Sequence, residues 1–353
     1  MRRTWSRLER LAALAIVVVA LTGCTPLLAI DQRSLVMAVA LDRAPCGIRA
    51  TGQWYSSAPS LMISGKMGPQ TESACGATAD AAVSALRREA HRYLDFGITN
   101  LILLGRPLAE TDPNRTLDLL WREGDLPESA DVAVADGEAR SLLFPASKEN
   151  AFLLYTRLTD AYLTNMATTP IPLWRFVARR HGLPGDAWAP MLETSGAGAR
   201  SVGVAAFRGG RMVAVLRGSQ AAAFGWLTKQ GGYSDLDVSL SVPTAVPLAF
   251  RVVRSRLRRS CAGPAPALAL TLYTRLRQGE GVRLRGRDPS DLSRQAALAA
   301  WRDTAAAVRT LVDAGADPLG LRSSGCPGTS LARPVRTVGL TVHVRVRPDE
   351  REA

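Results

Sequence analysis

The chain has 353 residues, of which 47% are hydrophobic and 21% charged, a balance that provides for globular cores and excludes a disordered chain. The formal net charge is +13; Arg2, Arg3, Arg7 and Arg10 against Glu9 near the start account for three of these, leaving +10 on the rest. Only Lys66, Lys148 and Lys229 are lysine, the remaining basic residues being arginines spread over the chain in a manner that GC-rich coding produces, and the one cluster, "RSRLRRS" from Arg254 to Ser260, has no interleaved aromatics for base stacking. Attraction to anionic lipid headgroups is compatible with this charge, whereas nucleic acid is not expected as a partner.

In chain order, the basic start is followed by an apolar run from Leu11 to Leu21, eleven residues and so well short of the ~20 that cross a bilayer as a helix. Directly behind it stands Leu21-Thr22-Gly23-Cys24. This tetrapeptide resembles the lipobox of bacterial lipoproteins, which implies removal of residues 1–23 as a signal peptide and lipid attachment at Cys24. Two or three acyl chains hold a protein firmly, because each buried methylene contributes ~0.8 kcal/mol and one chain alone is marginal. The alternative is an ordinary secretory signal with a chance cysteine. No later apolar run approaches membrane length, the densest being "NLILLG" at 100–105. Residues 24–353 are therefore expected to be soluble and extracytoplasmic.

A first domain is expected over 24–145. Strands run from Leu35 to Leu41 and from Ile48 to Tyr55 around a turn at 44–47, and Gly65 to Pro69 form a loop. Thr78 caps a helix from Ala79 to Leu94 with Val83, Leu86, Ala90 and Tyr93 at helical spacing. "GITNLILLG" is a strand of the kind buried on both faces, Pro107 and Pro113 open helices, the second capped by Asp112 and running to Trp121, "DVAVADG" is a strand and "EARSLLF" a helical piece. A second domain over 146–235 holds a helix from Glu149 to about Asn165 with a stripe of Phe152, Tyr155, Leu158 and Tyr162, and the helix "IPLWRFVARRHG" closed by Gly182. It continues with a hairpin turning at Gly209-Gly210 and a helix from Ser219 to Thr228. A third domain over 236–353 has strands Pro247 to Leu257 and Leu268 to Leu276, and a long helix capped by Asp288 and ended by Gly315, with Trp301, Ala305, Val308 and Val312 on its buried side. A last strand alternates Val338, Leu340, Val342, Val344 and Val346 with Thr341, His343, Arg345 and Arg347. The fold class is α+β, three small mixed α/β domains in series after the signal peptide.

Beyond Cys24 there are four cysteines, which allow three pairings; their places in the two halves favour Cys46 with Cys75 and Cys261 with Cys326. For the first pair, three antiparallel strands would bring the start of the second, which Cys46 precedes, to the end of the third, which Cys75 is expected to follow. Four unpaired thiols are the alternative, and the absence of CxxC spacing speaks against a zinc or redox site. His91, His181 and His343 sit where exposure is expected, with no metal-sharing spacing. There is no GxSxG, GxxxxGK[ST] or HExxH; "GKMGP" at Gly65 and "GAGAR" at Gly196 lack a strand-to-helix setting, and Asp31, Asp42, Glu72 and Asp317 are scattered acids with no second carboxylate at suitable spacing. Neither catalytic, cofactor nor metal residues are expected.

Five pieces in order resemble the Ger(x)C family, the lipoprotein C subunit of nutrient germinant receptors. They are "DQRSLVMAVALDRA", an apolar strand ending in an Asp with a basic neighbour; "LRREAHRYLDFGITNLILLGRPLAE"; "LLWREGDLPESADVAVADGEARSLL"; the hairpin "VGVAAFRGGRMVAVL"; and "AAAVRTLVDAGADPLGL", a helix closing on Ala-Asp and an apolar residue before Gly. Departures are Thr25 where the family usually has Trp, a shortened linker before the last strand, and the additional Cys46 and Cys75. The resemblance implies three α/β domains, no enzymatic activity, and germinant-receptor membership with membrane partners of the A and B types, one a multi-pass subunit resembling amino-acid transporters and the other a subunit with soluble and membrane parts. It also implies a place at the outer leaflet of the cytoplasmic membrane, the spore inner membrane. A solute-binding lipoprotein of a membrane transporter is the alternative.

Overall fold

The computed structural model describes residues 33–56, 68–90, 93–111, 113, 116–117, 126–144, 151, 153–156, 158, 171–181, 185–195, 198–228, 234–240, 246–277, 289–327, 329 and 335–347. Cys24 and the leader lie outside these, as do Asp112, Gly65 to Met67, Gly196, Ala197, Gly182 and Asp288.

Runs of small and branched apolar residues build the centre of a ten-stranded sheet. Strands β1 (Arg33–Ala44), β5 (Leu101–Gly105), β6 (Asp131–Ala135) and β8 (Trp188–Ser195) lie parallel, in the order β1-β5-β6-β8. β5 is buried at all five positions, as a strand covered on both faces must be. Antiparallel wings flank this centre, with β2 (Gly47–Ser56) and β3 (Gln70–Gly76) on one side and the hairpin of β9 (Gly198–Arg208) and β10 (Arg211–Leu216) on the other. Short strands β4 (Tyr93–Asp95) and β7 (Ile171–Pro172) pair with β1 and β6. The hairpin turns where the Gly-Gly pair predicts, Gly209 and Gly210 both taking positive φ, 55° and 92°.

Alternation sends Val39, Leu41, Ile102, Leu104, Val132 and Val134 to one face of the sheet and Ala38, Ala40, Leu101, Leu103, Ala133 and Ala135 to the other. The first face packs beneath helix α1 (Ala79–Glu89) through Val83 and Leu86 and beneath α3 (Leu173–His181) through Phe176 and Val177. The second is covered by a 3-10 turn (Ala139–Leu142) and by Leu154 and Leu158 of the helical residues around 151–158. Helix α2 (Arg106–Ala109) starts with Pro107 in its first turn.

A second sheet has the order β11-β12-β13-β14: β11 (Ser234–Leu240), β12 (Val246–Ala262) and β13 (Ala265–Arg277) form an antiparallel meander, and β14 (Gly339–Arg347) returns parallel to β13 after helix α5 (Pro289–Asp313). Leu268, Leu270 and Leu272 of β13 and Val344 of β14 meet Ala296, Ala300, Ala307 and Leu311 of α5, and α4 (Ser219–Thr228) joins the same core through Phe224 and Trp226. The mixed α/β character expected from sequence is borne out. The large sheet is continuous across the expected boundary between 145 and 146, because β6 pairs with β8, and one apolar core runs through both sheets.

Two expectations are corrected. The helix from Ala79 ends at Glu89, capped at its start by Thr78, whose Oγ1 accepts from the Ala81 N–H at 3.2 Å; Tyr93 and Leu94 are strand residues, Leu94 buried beside Ser34 of β1. On α5 the buried stripe holds Leu292, Ala296, Ala300, Thr304, Ala307, Val308 and Leu311, while Trp301 is 44% exposed, since small side chains let the helix lie close on the sheet and an indole has no room there. Strand β8 is an element that the sequence reading did not contain.

Candidate functional site

The acidic residues in the resembling pieces turn out to be keys of the fold. Asp42, at the end of β1, is 1% exposed, and its carboxylate accepts from the backbone N–H groups of Ala139 at 2.6 Å and Arg140 at 2.9 Å, the first two residues of the 3-10 turn. These are orphan donors of a helix start, satisfied across 97 residues of sequence. Burial raises the Asp42 pKa, against the lowering effect of the two N–H groups. Gly105, at the end of β5, leaves the space that this carboxylate fills, and a Cβ there would collide with Asp42 Oδ1.

Asp317, in "GADPLGL", is 5% exposed and accepts from Leu321 N–H at 2.6 Å, Arg322 N–H at 2.7 Å and Arg322 Nε at 3.3 Å. The turn before it is set by Gly315, φ 65°, with the Ala316 N–H returning to Leu311. Asp186 lies opposite, accepting from Arg322 Nη2 at 2.5 Å and from the Asp317 N–H at 2.8 Å. The structure thus corrects the reading of Asp317 as an acid without a second carboxylate: Asp186, 131 residues earlier, shares Arg322 with it. Arg179 of α3 closes this group by donating to the carbonyls of Asp186 and Pro318, each at 3.0 Å, with its guanidinium 4.1 Å from the Trp188 ring centre. Burial, with Arg175 and Arg259 adding, brings the Arg179 pKa down to about 10, so the cation persists at neutral pH. Every lone pair used here faces a donor of the same fold, and such an arrangement fixes geometry without offering a free base or nucleophile.

Asp136, just after β6, binds Arg217 Nη2 at 2.6 Å and Arg106 Nη1 at 2.8 Å, and these cations hold its carboxyl below the usual range. Asp131, at the start of β6, is pushed up to about 6 by burial. Neither Asp186 nor Asp136 carried a signal in the sequence, as their partners are distant along the chain. The shallow cavity between β3 and α1, about 620 Å³, presents Arg49, Glu72 and Glu89 beside Cys75 and Phe144.

Cys46 and Cys75 are joined, with Cα atoms 6.0 Å apart, at the end of the β2-β3 ladder where Arg49 faces Cys75. Cys75 lies inside β3 and does not follow it. Cys261, at the end of β12, and Cys326, in the loop after α5, are joined with Cα atoms 5.5 Å apart. Of the histidines, His343 is exposed on β14, His91 lies outside the described residues, and the side chain of His181 is likewise not described. Among the described residues no group of three or more His, Cys, Asp or Glu side chains is placed to hold a metal ion. No described helix is long and apolar enough to cross a membrane.

Among the described residues, the geometry defines a mixed sheet locked by buried acids. Residues 28–194 match the family described as spore germination protein N-terminal domain. That region resembles this family of spore germination proteins, and the resemblance to the Ger(x)C family is borne out. The fold is similar to that in the crystal structure of the GerBC protein, at a TM-score of 0.53 and 13% identity, with 87% of this chain and 96% of that chain covered. Among curated proteins no sequence matches.

Proposed function

We propose that the chain is a lipid-anchored, non-enzymatic subunit of a nutrient germinant receptor. The single observation that carries the reading is that the spore germination domain match begins at residue 28, four residues after the lipobox cysteine. Diacylglyceryl and amine-linked acyl chains on Cys24 would hold residues 24–353 at the outer leaflet of the cytoplasmic membrane, which in the spore is the inner membrane. From Cys24 to Arg33, where β1 begins, the chain reaches at most ~30 Å, so the folded body stays close to the lipid surface. The partners are the multi-pass A-type and B-type subunits, met through surfaces, and the response is to nutrients. The bridges Cys46–Cys75 and Cys261–Cys326 suit an oxidising, extracytoplasmic setting. The 24–145, 146–235 and 236–353 segments serve as successive parts of one body.

The test is Cys24→Ala in spores. Release of the protein from the inner membrane with a weakened nutrient response is expected; full membrane retention with unchanged germination would overturn the reading. Sub-millimolar binding of amino acids or sugars by the isolated chain, measured by titration calorimetry, would instead support a solute-binding lipoprotein.

A further inference from the structure

Strands β12, β13 and β14 contain nine arginines and no Asp or Glu. Their inward positions, Leu257, Leu268, Leu270, Leu272 and Val344 among them, join the core shared with α5. The outward positions are set side by side by the register. Arg254, Tyr273 and Arg345 form one row, Arg256, Thr271 and His343 a second, and Arg251 and Arg275 a third, with Arg258 beside Ala269 and Thr341. Rows follow one another at ~7 Å along the strands and neighbours sit ~5 Å apart across them, so guanidinium groups are crowded on one face. Arg254, Arg256, Arg258, Arg275 and Arg345 are all exposed. Among the described residues of this sheet, acidic side chains enter through β11, which pairs with residues 246–252 of β12 and sets Asp235 beside Arg251, and the strand positions from Arg254 to Arg258 and their partners carry none.

Like charges at this spacing repel, and the arrangement is favourable only where counter-charge is supplied from outside the fold. We infer that the outward face of the β12-β13-β14 sheet is a docking surface for an anionic phospholipid bilayer. Charge complementarity carries the inference: an extended cationic face matches a layer of phosphates, and each arginine near such a surface adds to the attraction. Tyr273, half-buried at the middle of the face, has the guanidinium groups of Arg254 and Arg345 at 5.9 and 5.8 Å from its ring centre. An aromatic ring between arginines suits the headgroup level of a membrane. The same contacts take up the ring that single-stranded nucleic acid would need for stacking. The membrane is chosen as occupant partly because the proposed anchor places the body beside one, but the surface itself does not depend on acylation.

The test uses the full chain with Cys24→Ala, so that acyl chains contribute nothing and failure leaves the anchor reading untouched. Its binding to phosphatidylcholine vesicles with and without phosphatidylglycerol is measured by flotation at low salt. The leader, with Arg2, Arg3, Arg7 and Arg10, is itself drawn to anionic lipid but is common to every variant, so it cancels in the comparison between variants, and that comparison reads out the face. A clear preference for the anionic vesicles is expected, abolished at ~1 M KCl, where the screening length falls to ~3 Å. Arg254→Glu, Arg256→Glu and Arg258→Glu together are expected to lower that preference on the order of a hundredfold. The pair Arg294→Glu and Arg302→Glu, on the exposed side of α5, is expected to leave it unchanged, and matched melting curves for all variants show that the fold is kept. Equal binding to both vesicle types, an equal loss from the α5 pair, or tighter binding of a duplex oligonucleotide than of the anionic vesicles would overturn the inference.

Discussion

Asp42 and Asp317 show how a single buried carboxylate decides local geometry. Asp42 takes backbone N–H groups from a turn 97 residues away and Asp317 from the turn that directly follows it, and loss of either acceptor leaves buried donors unsatisfied, at ~1–3 kcal/mol each. Gly105→Ala is expected to destabilise the protein by about 3 kcal/mol or more, because the new Cβ must displace the Asp42 carboxylate, and denaturant titration measures this. Asp131 behaves in the opposite sense. Its folded pKa of about 6 lies above the ordinary 3.8, so between these values the native state binds more protons than the unfolded chain, and stability falls as pH rises from 3.8 to about 6. Asp131→Asn keeps the shape and removes the charge. It is expected to raise stability by roughly 2 kcal/mol above neutral pH and to leave it nearly unchanged near pH 4; an equal effect at both pH values would contradict this.

At the scale of elements, the two bridges tie ends of strands to neighbouring segments. Loop-closure entropy assigns each ~3–5 kcal/mol, with the 65-residue separation of Cys261–Cys326 worth somewhat more than the 29 residues of Cys46–Cys75. Replacing both cysteines of a pair by serine is therefore expected to lower the melting temperature, more for Cys261 and Cys326; a scan unaffected by reducing agent would show the thiols to be free. Strands and helices with a clean period were legible in the sequence: β1, β5, β13 and β14 by alternation or continuous burial, the β9-β10 hairpin by its Gly-Gly turn, α1 by Thr78. "WAPMLETS" gave no strand signal, since β8 is buried through its first five residues and carries Pro190. Trp301 was misplaced because periodicity identifies a face of α5 only to within a residue or so, and volume then decides that Ala300 and Thr304 go inward. Of the acid network, Asp42 and Asp317 were visible as letters in recurring pieces, but their partners were not, being supplied by chain more than a hundred positions away in the case of Asp186 and Asp317.

For the molecule as a whole, the sheet that continues from β6 into β8 and the core that passes through α4 into the second sheet make the first part of the chain dependent on the strands and helices beyond residue 145. A fragment ending at residue 145 would expose the edge of β6 and lose Trp188, Phe207 and Phe224 from the core, and it is expected to lack a cooperative unfolding transition. A sharp transition in that fragment would show that the segment before 145 folds independently. The central claim is membership of a membrane receptor assembled through surfaces. Its most direct test is affinity purification of the tagged chain from detergent-solubilised spore inner membranes, with mass spectrometry of whatever accompanies it. The account predicts two multi-pass germinant-receptor subunits in amounts comparable to the chain itself; recovery of a transporter permease and its ATPase, or of the chain alone from membranes that contain those subunits, would contradict it.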